Sequence, residues 1–64
     1  MLNMIMTKLE RTVQVLPFLN VNPKLWGKVG KVLDETKADG NWVYKVEIDS
    51  EVYELPKYTL SNLT

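Results

Sequence analysis

The chain has 64 residues, no cysteine, no histidine and a formal net charge of zero. That length holds one domain, which buries only about 60% of its unfolded surface. Disulfides and thiolate metal sites are excluded, and a zinc site would rest on carboxylates alone, which zinc rarely accepts. Stability must therefore come from an apolar core or from a partner, and no cofactor is expected. No apolar run approaches the roughly 18 residues of a membrane span. The opening MLNMIMTKLE is too short and too polar for a signal-peptide core. A cytoplasmic protein without a membrane partner is the expectation. Charge is uneven along the chain: residues 1–33 sum to +4, from five basic groups and one acid, and residues 34–64 to −4, from three lysines and seven acids. Such asymmetry marks either a basic binding face or two halves that interleave and face each other in space.

Residues 1–10 read as a flexible leader before a domain spanning 11–64. Met4, Ile5 and Leu9 suit a short amphipathic turn, but neither cap nor length supports a stable helix. Ordering by a partner or a subunit contact would be needed. A first strand is predicted over 11–16, with Val13 and Val15 inward, and Pro17 ends it because proline cannot donate to a sheet ladder. The loop 17–25 (PFLNVNPKL) is rich in turn residues yet carries Phe18, Leu19 and Val21. Those side chains either fold back over one end of the domain or stay available to a partner.

A second strand is predicted over 28–36, with Gly27 and Gly30 at its start suiting a sharp bend or a close strand crossing. The polar turn Asp39-Gly40-Asn41 leads into the clearest pattern in the chain. Trp42, Tyr44, Val46 and Ile48 alternate with Val43, Lys45, Glu47 and Asp49, which is a strand with one buried face. A tight reversal at 49–51 introduces a fourth strand over 52–55. Pro56-Lys57-Tyr58 reads as one helical or 3₁₀ turn, and 59–63 as a closing strand that pairs back to the first. The expected fold is all-β: a small, bent five-stranded barrel with a one-turn 3₁₀ helix before the last strand. Its expected core is Val13, Val15, Val32, Tyr44, Val46, Ile48, Leu55 and Leu60, with Trp42 and Tyr53 at the rim.

The run Gly27-Lys28-Val29-Gly30-Lys31-Val32, a turn, and Val43-Tyr44-Lys45-Val46-Glu47 resembles the KOW-type Src-homology-3-like (SH3-like) barrels. The segment VYELPKYTLSNL, residues 52–63, is similar to the closing segment of several such barrels: a strand, a one-turn helix and a leucine-containing last strand. The resemblance covers residues 11–63 and implies a fold, while fold alone leaves function open. Members contact RNA or ribosomes, dock on larger assemblies, or are small phage or prophage proteins. This neutral chain departs from the basic character of the nucleic-acid-binding members.

Catalysis has little raw material. General acid–base work would fall to carboxylates, tyrosines or lysines, and Ser50 and Ser61 lack a histidine partner. Asp34, Glu35 and Asp39 near one turn read as solvated acids, Asp49 and Glu51 sit in a loop too short for a dedicated calcium cage, and no phosphate-binding glycine loop is present. No catalytic or metal residue is assigned, and a non-enzymatic role is expected.

Binding has better material. Phe18, Leu19, Trp26 and Tyr58, from the long loop and the late turn, form a candidate protein-docking surface. Lys24, Trp26, Lys28 and Lys31 form an alternative one, in which the indole stacks on a nucleic-acid base and the ammonium groups meet phosphate. A protein partner is placed first, nucleic acid second, and self-assembly through a strand edge or the leader third; the oligomeric state stays open.

Overall fold

The computed structural model describes residues 11–63, so the leader proposed for 1–10 lies outside the described residues. Five strands form one antiparallel sheet: β1 (Thr12–Val15), β2 (Val29–Ala38), β3 (Asn41–Ile48), β4 (Glu51–Pro56) and β5 (Leu60–Asn62). Their spatial order is β4-β3-β2-β1-β5, so the closing strand does pair back on the first. β4 and β5 are the two edges, and the ladders do not join them into a closed ring. Short 3₁₀ turns at Pro23–Leu25 and Lys57–Thr59 interrupt the connections β1 to β2 and β4 to β5. No described helix is long and apolar enough to cross a membrane.

Both hairpins turn on two residues with positive φ: Asp39 (51°) and Gly40 (79°), then Asp49 (51°) and Ser50 (69°). Positive φ at both central positions gives the twist that matches antiparallel strands, and it sets Ala38 opposite Asn41 and Ile48 opposite Glu51. β2 serves two neighbours in succession. Its first residues pair with β1, and from Lys31 onward it pairs with β3. Within the pairing with β3 lies a bulge: Val32 faces Val46, but the next partners are Asp34 and Lys45, leaving Leu33 outside the register. A bulge bends its strand and sharpens the twist.

Gly30 sits where the strands crowd most. A β-carbon there would lie 2.6 Å from the Glu47 carbonyl oxygen and 2.7 Å from side-chain carbons of Val46 and Ile48. The close crossing expected at this glycine is present.

The core consists of Val13, Val15, Val21, Leu25, Tyr44, Val46, Ile48 and Leu55, with Val32, Tyr53 and Leu60 packed partly against it. The alternation in β3 therefore buries the side chains it should, and Trp42 lies at the rim, 43% exposed. Outward rows balance their charges: Asp34, Lys45 and Glu54 lie side by side across β2, β3 and β4, and Lys31 lies opposite Glu47. Opposite charges across strands favour this register.

Candidate docking surface

The loop between β1 and β2 uses its apolar residues in two ways. Val21 and Leu25 turn inward and join the core, while Phe18 and Leu19 stay outside. Local chemistry explains the split. Asn22 caps the first 3₁₀ turn, its side-chain oxygen accepting from the Lys24 amide at 3.0 Å, with Pro23 opening the turn. That turn swings Leu25 beneath the sheet. The Trp26 indole N–H then donates back to two loop carbonyls, Phe18 at 3.1 Å and Val21 at 3.0 Å. Gly27, at φ 79°, returns the chain to β1: its amide donates to the Val15 carbonyl at 2.8 Å, and its own carbonyl accepts from the Gln14 side chain at 3.0 Å.

The second 3₁₀ turn closes the other side. Thr59, fully buried, donates its hydroxyl to the Pro56 carbonyl at 2.7 Å, and its carbonyl accepts from the Leu16 amide at 2.8 Å. This lock carries Tyr58 to the loop. The Phe18 and Tyr58 rings meet edge to face, with centroids 5.3 Å apart and planes at 81°, and the Asn20 amide donates to the Tyr58 hydroxyl at 2.8 Å. Phe18, Trp26 and Tyr58 thus form one connected group, although 40 positions separate Phe18 from Tyr58 in sequence. Leu19 stands at its tip, 95% exposed.

Of the second expected cluster, Lys28 forms an ion pair with Asp49 at 2.8 Å. The hydrogen bond from Asp49, reinforced by its charge, raises the Lys28 pKa above 10.5. Lys31 lies opposite Glu47, Lys24 is exposed on the first 3₁₀ turn, and the Trp26 indole N–H is engaged with the loop. Two of the acids are likewise engaged. Glu35 binds Arg11, whose guanidinium also lies 5.2 Å from the Tyr44 ring centre, and Glu51 accepts from the Tyr53 hydroxyl at 3.1 Å. That hydrogen bond raises the Tyr53 pKa above 10.0. Among the described residues, no group of three potential ligands gathers to hold a metal.

A further feature escapes sequence reasoning. A groove of about 450 Å³ runs beside Tyr58, lined by Gly40, Asn41, Trp42, Lys57 and Leu60 as well. It adjoins a smaller cavity of about 170 Å³ lined by Arg11, Val13, Tyr44, Asn62 and again Lys57 and Leu60. The alternation of β3 puts Trp42 on the correct face, but its meeting with Tyr58 depends on the pairing of Val43 with Pro56, which places the late turn beside the start of β3.

No protein-family model, no curated protein and no solved structure matches this chain.

Proposed function

We propose that this chain is a non-enzymatic binding module, an SH3-like barrel of the KOW type, that docks on a larger protein through Phe18, Leu19, Trp26 and Tyr58. The observation that carries the reading is a bare apolar tip on a pinned backbone. Leu19 is 95% exposed, yet its flanks are held by the Trp26 indole, the Asn20 to Tyr58 hydrogen bond and the Phe18 to Tyr58 ring contact. Ordering a surface before binding lowers the entropic cost of association, and aromatic anchors commonly dominate interface energy. The mechanism is rigid-surface docking that modifies the partner's activity. A small phage or prophage accessory protein acting in the cytoplasm has this profile.

Closure into a barrel has its own support. Five flat strands would put the outer two about 19 Å apart, at four spacings of about 4.8 Å. Only three residues, Lys57–Thr59, connect those edges, and four chain steps reach at most about 14 Å. The bulge in β2 supplies the bend.

The test is affinity capture from host lysate, with and without nuclease, comparing the native chain with Leu19→Asp. That variant changes only an exposed side chain, so folding should survive. Nuclease-resistant capture that the substitution abolishes supports the reading. Capture that disappears with nuclease, or that Leu19→Asp leaves intact, refutes it.

A further inference from the structure

We infer that the groove between Trp42 and Tyr58 receives an acidic peptide segment carrying an apolar or aromatic anchor residue. The inference rests on the docking reading and extends it to the chemistry of the partner. Its first support is shape and composition: two contiguous cavities share Lys57 and Leu60 and are walled by Trp42, Tyr58 and Tyr44. Trp42 and Tyr58 are 43% and 60% exposed, so this aromatic surface is not spent on the core.

The second support is charge. Among the described residues, no Asp or Glu lines either cavity. Arg11 is neutralised by Glu35, but Lys57 has no ion-pair partner among the described residues, and Lys37 lies 5.9 Å from the Trp42 ring centre. The outward face of the sheet differs, because its lysines there lie opposite acids. A groove with unbalanced positive charge and aromatic walls fits a carboxylate beside an apolar side chain. Single-stranded nucleic acid fits it less well, since tracking a backbone calls for a row of cations, and here Glu35 already occupies Arg11.

The experiment is an NMR titration of the full chain, following the Trp42 indole and the amides of Lys57, Tyr58 and Leu60. The probes are a peptide of glutamates around one phenylalanine, the same peptide with glutamine or lysine for glutamate, and oligothymidylate. The expected result is saturable shifts of these resonances with the acidic peptide. Binding should be roughly two- to fivefold weaker to the glutamine version, and Lys57→Glu should shift the preference to the lysine version. Lys57 is exposed, and an unchanged spectrum elsewhere checks that the variant folds. Equal binding of all peptides, preference for oligothymidylate, absence of shifts at millimolar peptide, or an unaffected Lys57→Glu variant each overturns the inference. So do shifts of the same resonances with protein concentration alone, which identify a second copy as occupant, or on deleting residues 1–9, which identify the chain's own beginning. If lysate capture depends on Leu19 while Lys57→Glu leaves the titration unchanged, docking stands and the acidic partner falls.

Discussion

The two halves of the loop between β1 and β2 are alike in composition and opposite in fate. Residues 17–20 hold Phe18 and Leu19; residues 21–25 hold Val21 and Leu25, and each half contains one proline and one asparagine. Only the apolar pair of the second half, Val21 and Leu25, is buried. The difference comes from one 3₁₀ turn, capped by Asn22, and one indole N–H that ties both halves together. Apolar content in a loop is thus no guide to burial; the direction that local hydrogen bonds impose on each side chain decides it. Val21 and Leu25 complete the core, and the exposed half is left as a surface whose backbone is held by hydrogen bonds.

The comparison breaks most sharply by truncation. Leu25→Ala should cost about 2–4 kcal/mol, through lost burial and the cavity left behind. Leu19→Ser should change stability by no more than about 0.5 kcal/mol. Urea unfolding of the two variants measures both, and equal losses would mean that the halves are not distinct. Next in size is Trp26→Phe, which keeps an aromatic ring but removes the donor to Phe18 and Val21. A loss of about 1–2 kcal/mol is expected, together with a wider spread of Phe18 and Leu19 NMR line widths than in the native chain. A variant with native stability and native line widths would show that the indole is not the tie.

The smallest effect lies where the loop enters β2. Lys28 has its pKa raised in the folded chain by Asp49, so its contribution is fully present below the unfolded value of 10.5. It is lost as pH climbs through the raised folded value. Tyr53, raised above 10.0 by Glu51, acts in the same direction over the neighbouring window. Stability should therefore fall on the alkaline side of pH 10, and Lys28→Gln should flatten the part of that slope due to the ion pair. An unaltered slope in Lys28→Gln would remove Asp49 from the account.

Most of the sheet was legible in the sequence because period-2 alternation and turn chemistry are local signals. Tyr44, Val46 and Ile48 are buried as their spacing predicts. Asp39-Gly40 makes the first hairpin turn, and Asp49-Ser50 makes the second although neither residue is glycine. Strand ends differ from expectation by a residue or two: β2 continues to Ala38 and β5 ends at Asn62. Burial of Val21 was one of two readings open for the loop and that of Leu25 was not legible, since both follow from a cap and an indole hydrogen bond that leave no periodic trace. The groove at Trp42 was hidden for a different reason. It joins positions from β3 and the late turn through a strand register, and a register belongs to the sheet as a whole rather than to either segment.

Amide hydrogen exchange tests the central claim most directly, because the pinned loop is a statement about particular N–H groups. Val21 donates to Phe18, Leu25 to Asn22, Trp26 to Pro23 and Gly27 to Val15. The account predicts that these amides, Gly27 above all, exchange with protection approaching that of the β3 amides, while the amide of Leu19 exchanges freely. Exchange of all four at unprotected rates in the folded chain would contradict it.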